Sequence, residues 1–479
     1  DRSVSRGLGD VYKRQLLLLA PAGCAGGGTP SGSESAGGSD STENPSESVS
    51  SEPVEPESVW NKEPTIKGTF YEDFSNGIDS DIWEVSSQKW GADNNGTSPD
   101  NVFYSTDETR VKNAGATGGI AVLRSYGDLQ ANSAKRRQGA ALITRQTFGP
   151  GKYEVRMKVL PRLGQCTAFW TYYSNGGQTP ETIKYSEIDI EMPMEGSFKK
   201  WSGTSYERFI DWNILADRQT VMADEPEEGG LNDGQWHTYA FEWRTDAANG
   251  DRGVIWYRDG EKMGEAREFV PNYKAALWVG NWFPPDKSWV GIPDFEEAYM
   301  YVDWIRVTEY DDPVQEGGGG STARAEATDL GARPIPQNDY IANGKFSSTE
   351  NGALLGWEGE GGTSSGSGSD TYLNLEAGKK LTQMIRAQYS GYSFTLSAEA
   401  LKIVGSGKCK IYAEYMFGSV RMGKSEAIEF TASDTGKKNL NFTIENNSVT
   451  DLRIVVETEE GTTCLLYTSP SPRDTERSR

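Results

Sequence analysis

Histidine is nearly absent from this chain: His237 is the only one in 479 residues. A histidine-dependent serine or cysteine triad, or a zinc site with several imidazoles, would have to be built around that single side chain. Cysteine is scarce as well, with 4 in the whole chain. Cys166 and Cys409 have no paired spacing, so they are expected as buried thiols rather than a disulfide framework. Basic residues are in deficit, 48 Lys and Arg against 70 Asp and Glu, which leaves a formal net charge of -22. A field of that sign repels nucleic acid and other polyanions. Long apolar runs and sustained helical periodicity are also missing, and the mean hydropathy is -0.64. What remains in quantity is glycine, with 55 residues, and tryptophan, with 14. That composition fits turn-rich β structure with many aromatic surfaces. If the chain is catalytic, carboxylates must move the protons.

The two ends carry a relation of their own. Asp10 to Gln15 back-translates to GAT GTG TAT AAG AGA CAG, and Cys464 to Ser469 to TGT CTC TTA TAC ACA TCT, which overlaps its reverse complement. Residues 1–15 and 464–479 are therefore expected to derive from a sequencing adapter. Leu16 to Cys24 is an apolar run ending in small residues and a cysteine. It resembles the remnant (16–24) of a bacterial lipoprotein signal, with Cys24 the lipidated residue; the run is too short to span a bilayer. Residues 25–64 begin as a Gly-, Ser- and Glu-rich stretch with the composition of a flexible tether. Together these imply an extracellular protein held at a bacterial surface only through its lipid.

From 65 to 310 the sequence reads as many short strands, and thirteen of the tryptophans fall between Trp60 and Trp304. In Gly151 to Val159, Tyr153, Val155, Met157 and Val159 alternate with polar partners, the two-residue period of a half-buried strand. His237 to Trp243, Val254 to Arg258 and Tyr301 to Val307 behave likewise. The fold class expected is all-β, a large sandwich with a second, smaller β-sandwich. A linker is expected over 311–337, with Gly317 to Gly320 as its flexible centre. The second domain is expected over 338–463, ending before its final strand.

The most informative segment is Tyr185-Ser186-Glu187-Ile188-Asp189-Ile190-Glu191. On a strand, Glu187, Asp189 and Glu191 share one face while Ile188 and Ile190 share the other. Three carboxylates in a row repel one another unless some are protonated or paired, and folding alone gives no reason to place them there. The chemistry that uses such a row is retaining glycoside hydrolysis, in which one carboxylate attacks the sugar and another gives and takes the proton. Strand rise would separate Glu187 from Glu191 by about 13 Å, so the side chains must converge across a concave sheet.

This segment resembles the Glu-x-Asp-x-Glu motif of family 16 glycoside hydrolases. So do Phe148 to Arg156, Ala168-Phe169-Trp170, Trp236 to Tyr239 and Val302 to Val307; the likeness extends from about Phe70 to Tyr310. The resemblance implies a concanavalin-like jelly roll with the cleft across one sheet. It also implies that Glu187 is the nucleophile, Glu191 the acid/base, and Asp189 a residue that hydrogen-bonds to the nucleophile. Asn343 to Phe346 and Gly356-Trp357 resemble the opening of carbohydrate-binding modules, with a plain structural sandwich as the alternative.

Sugar binding calls for aromatic platforms and polar rims. Trp170, Trp212, Asn213 and Trp282 are the candidates, with core packing the competing reading for each tryptophan. His237 is expected to be structural and near the cleft. The partner expected is a β-linked polysaccharide, a β-1,3-1,4- or β-1,3-glucan, acted on by a monomer. No cofactor or catalytic metal is required, and structural calcium is not readable from the sequence. A transglycosylase on similar glucans shares the same residues. A non-catalytic carbohydrate-binding surface protein is the alternative from another class, although a lectin has no need of three clustered acids.

Overall fold

A computed structural model describes residues 60, 63–89, 95–193, 196–224, 230–245, 252–319, 325–367 and 370–468. The expected adapter-like start, the lipoprotein remnant with Cys24 and the tether up to residue 59 lie outside them. Trp60, expected within the tether, is already part of the body: the Arg267 guanidinium lies 4.6 Å from its ring centroid.

The first sandwich consists of two antiparallel sheets. One runs in the order Glu261–Ala266, Gly253–Arg258, His237–Arg244, Gly151–Lys158, Glu297–Tyr310, Ile120–Tyr126, Val102–Ser105, with Ile66–Glu72 also on Glu297–Tyr310. The other runs Leu215–Asp224, Lys200–Asp211, Tyr185–Met192, Cys166–Ser174, Tyr273–Trp282, Ala140–Phe148, Trp83–Val85. Alternation explains how the layers meet. Tyr153, Val155 and Met157 are buried between the sheets, while Lys152, Glu154, Arg156 and Lys158 are half-buried on the far face. Ile188 and Ile190 face the same core from the other side, each burial contributing roughly 1.5–3 kcal/mol. The carboxylates of that strand are thereby turned away from the core.

One glycine fixes the spacing under the carboxylate strand. A Cβ at Gly203 would lie 2.5 Å from the Trp256 ring. That ring reaches across from the opposite sheet, and its Nε1–H donates to the Asp189 carbonyl at 3.0 Å.

The segment expected as a free linker instead lies against the sandwich. Gln315–Gly318 pairs in parallel with Tyr273–Trp282, and Thr328–Asp329 pairs in parallel with Val102–Ser105. Leu330 and Ile335 are buried. Glycine there serves close approach rather than flexibility, since a Cβ at Gly317 would fall 1.8 Å from the Lys274 carbonyl oxygen.

The second sandwich has sheets in the order Glu358–Gly359, Lys380–Arg386, Asp451–Thr458, Cys409–Phe417, Val420–Lys424 and Gly362–Ser365, Tyr372–Leu375, Thr463–Thr468, Ser393–Val404, Gly436–Thr443. The final strand expected to be missing is therefore present. Thr463–Thr468, all but its first residue within the segment expected to derive from an adapter, pairs with Tyr372–Leu375 and Ser393–Val404. The physical reason is its alternation: Cys464 and Leu466 point into the core and are fully buried. Cys166 and Cys409 are buried free thiols, as expected, and Cys464 is a third.

The two sandwiches share one contiguous apolar cluster. Polar contacts reinforce the junction. Arg162 donates to the carbonyls of Tyr340 and Asp294, both at 3.1 Å. The Asn343 N–H donates to Glu296 at 2.9 Å, and Tyr392 donates to Asn232 at 2.7 Å.

Candidate active site

The strand Tyr185–Met192 sits third in its sheet, between Lys200–Asp211 and Cys166–Ser174, so each carboxylate is flanked on both sides. Register fixes the neighbours. Glu187 lies opposite Tyr172 and Tyr206, Asp189 opposite Trp170 and Thr204, and Glu191 opposite Ala168 and Ser202. All of these share the face that points away from the core. Glu187 is 7% exposed and Asp189 5%, whereas Glu191 is half-buried.

Burial governs the charges. It pushes Glu187 up to about 8, against the stabilising hydrogen bond donated by the Tyr185 hydroxyl, with the Glu191 charge adding to the rise. Burial raises Asp189 well above the ordinary carboxylate range, the charges of Glu187 and Glu191 raise it further, and Arg218 opposes them. The row thus holds fewer than three negative charges near neutrality, and the Tyr185 donor is the contact that favours the charged form of Glu187 against its burial. Protonated Asp189 is then an acid among carboxylates, able to donate a hydrogen bond. Burial first, and the carboxylate charges second, also raise Tyr206 and Tyr172, which stay neutral hydrogen-bond donors.

Of the aromatic residues proposed from sequence, Trp170 stacks on Trp278 with centroids 5.1 Å apart and planes 28° apart. Trp282 lies on the same face, opposite Cys166, and packs on Trp289 at 6.3 Å. Trp212 lies just past the strand Lys200–Asp211, at the Glu187 end. It packs on Phe209 at 5.3 Å, with the Arg218 guanidinium 4.3 Å from its ring centroid. Asn213 is an exposed residue of the same turn, not of a strand; its N–H donates to Asp211 at 2.7 Å. The first three tryptophans therefore border the carboxylate face, and Asn213 marks its outer edge.

Tyr172, Tyr185, Tyr206, Trp278, Trp289 and Arg218 belong to the same surface and were not singled out by sequence. The two-residue period could have found Tyr172, two positions after Trp170, and Trp278, four before Trp282. Arg218 has no such signal, since only pairing with Tyr206 brings it to the cleft.

His237 is structural, as expected, but not near the cleft. Its strand belongs to the opposite sheet, where its ring nitrogens meet Asp259 at 2.7 Å and Asp233 at 3.2 Å. Asp303, another buried acid of that sheet, is paired with Arg156 and accepts from the Thr117 N–H at 2.7 Å. Among the described residues, no group of three or more His, Cys, Asp or Glu could hold a metal ion.

The family described as "Glycosyl hydrolases family 16" matches residues 94–282, a span that contains the whole carboxylate row. Residues 94–282 are thus similar to a family 16 glycosyl hydrolase domain. Two curated relatives bear the name "Beta-glucanase". The domain is 25% identical to that of Fibrobacter succinogenes over 225 residues, 44% of this chain and 58% of the relative. It is 26% identical to that of Bacillus subtilis over 172 residues, 34% of this chain and 60% of the relative. The chain thus spans about three fifths of the length of these relatives. A solved β-1,3-1,4-glucanase (lichenase) from a mouse hindgut metagenome shows 23% identity and a TM-score of 0.37, covering 51% of this chain and 99% of its own. The matched span takes in the carboxylate strand and both strands that flank it.

Proposed function

We propose that the protein is a retaining endo-glycoside hydrolase acting on β-1,3-1,4- or β-1,3-glucan. The observation that carries this reading is the row Glu187, Asp189, Glu191 on one face of a central strand, bordered by Trp170 and Trp278. In the first step the Glu187 carboxylate attacks the anomeric carbon, and the glycosidic C–O bond breaks as Glu191 delivers its proton to the leaving oxygen. In the second, water attacks the same carbon and displaces the Glu187 ester while Glu191 takes the water proton. Asp189 donates a hydrogen bond within the row and steadies the charge on Glu187. The stacked Trp170–Trp278 pair offers a platform to the apolar face of a pyranose. No cofactor enters the scheme. The glucan assignment is supported by the beta-glucanase names of the relatives and by the chain's negative charge, which disfavours sulfated polysaccharides. The acyl-anchor reading of Cys24 would place the enzyme, as a monomer, on the outer face of a bacterial cell.

Azide rescue separates the two roles. Glu187→Ala and Glu191→Ala should each lose several orders of magnitude in kcat on mixed-linkage β-glucan while keeping the wild-type circular dichroism. With an aryl β-oligoglucoside whose phenolate leaves without a proton, azide should restore turnover in both, giving an α-glycosyl azide from Glu187→Ala and a β-glycosyl azide from Glu191→Ala. Adducts of the same configuration contradict the assignment. Products longer than the substrate, formed when acceptor oligosaccharides are added, would favour a transglycosylase.

A further inference from the structure

The second sandwich touches the first where the cleft ends. The turn Gly196 to Lys199 follows the carboxylate strand, and Tyr389 of the second sandwich donates its hydroxyl hydrogen to the Ser197 carbonyl. The same ring lies under the Lys199 ammonium, 4.0 Å from the centroid. It also closes over Gly230, where a Cβ would meet it at 3.2 Å. Phe198, between these contacts, has φ 54°, a left-handed conformation that costs a non-glycine residue stability. Such a turn keeps its shape only when its surroundings over-determine it. Here Phe198 is fully buried, its carbonyl accepts from the Leu231 N–H at 3.0 Å, and Tyr389 holds the preceding carbonyl.

From this turn a continuous set of contacts leads into the cleft. The Gly196 N–H donates to the Trp289 carbonyl at 2.8 Å, and Gly291 packs against Gly196. Trp289 packs on Trp282 in a cluster that includes Cys166 and Ala168, and Ala168 lies directly opposite Glu191. The junction itself is buried: Arg162 is 4% exposed and Tyr389 7%. A second hydrogen-bonded pair, Tyr392 with Asn232, serves the same junction; the Tyr392 ring packs edge-on against Tyr389 with centroids 5.8 Å apart, and its hydroxyl bonds Asn232 rather than the turn.

We propose that the second sandwich is a positioning element of the cleft, acting through Tyr389 on the Gly196–Lys199 turn and thereby on Trp289 and Trp282 at the Glu191 end. Tyr389 is a positioning residue; it holds the wall against which the sugar chain lies beside the acid/base. The proposal rests on the glucanase reading of the cleft, and its test has one arm that needs no substrate.

In the full chain, Tyr389→Phe keeps the ring and removes only the hydrogen bond to the turn, and Tyr392→Phe keeps the neighbouring ring and removes only its hydrogen bond to Asn232. Amide hydrogen exchange at Gly196 and Gly291 should quicken about tenfold in Tyr389→Phe and stay near the wild-type rate in Tyr392→Phe. With soluble β-glucan, Tyr389→Phe should raise KM about three- to tenfold with kcat within about twofold, while Tyr392→Phe leaves KM unchanged. Wild-type exchange at Gly196 and Gly291 in Tyr389→Phe overturns the proposal. So does an equal change in both variants, which would mark a general loss of junction stability, or an unchanged KM. Wild-type protein that hydrolyses no glucan would defeat the substrate reading, and the exchange result would still decide whether Tyr389 holds the turn.

Discussion

Glu187 is held where its charge is costly. Its pKa is pushed up to about 8 by burial, despite the Tyr185 hydrogen bond. The folded protein therefore keeps this proton to a higher pH than the unfolded chain does. A group raised in this way contributes full stability below its unfolded value, near 4.5, and loses that contribution as pH rises through about 8. Glu187→Gln, which cannot ionise, should therefore raise Tm by a few degrees at pH 9 and have little effect at pH 5, since about 1 kcal/mol corresponds to roughly 2–4 °C for a domain of this size. Calorimetry at the two pH values checks this, and a larger gain at pH 5 would contradict it. The same side chain that lowers stability would be the one the chemistry needs. Its identity was legible in the sequence because three like charges on one strand face have no folding rationale. Its pKa was not, because the burial that raises it and the Tyr185 hydrogen bond that opposes the rise arise only once the strands have packed.

At the scale of single elements, two-residue alternation made the strands readable: Gly151–Lys158, His237–Arg244 and Tyr185–Met192 fall where the pattern places them. Pairing was not readable. His237 showed a strand but not which sheet it joins, and this separates the histidine from the cleft. Trp212 and Asn213 were read as sugar-binding candidates without their place in a turn, which forms because Asp211 accepts from the N–H groups of Asn213 and Ile214, at 2.7 Å and 3.0 Å. Gly203 is another case, since its need for no side chain arises from Trp256 on the opposite sheet. Gly203→Ala should displace that indole and the Asp189 backbone it donates to, costing about 1–3 kcal/mol in urea denaturation and lowering kcat. Unchanged stability would mean that the sheets separate freely at this point.

For the whole molecule, composition proved a poor guide to where packing stops. The stretch around Gly317 looks like a spacer by its glycine content, but those glycines let Gln315–Gly318 lie against Tyr273–Trp282. The last strand, Thr463–Thr468, fills its place because Cys464 and Leu466 alternate correctly, whatever the nucleotide relation between the chain ends. The junction between the sandwiches was illegible because Tyr389, Tyr392 and Asn232 meet only after both have folded. What the sequence did expose was a row of three carboxylates on one strand face of an all-β chain with one histidine, the row on which the proposed chemistry rests. The most direct test of that account is covalent trapping. A 2-deoxy-2-fluoro-β-oligoglucoside with a good leaving group, incubated with the full chain and mapped by peptide mass spectrometry, should leave one α-linked glycosyl ester on Glu187. An adduct on Glu191 or any other residue, or no adduct from a preparation that hydrolyses β-glucan, would contradict it.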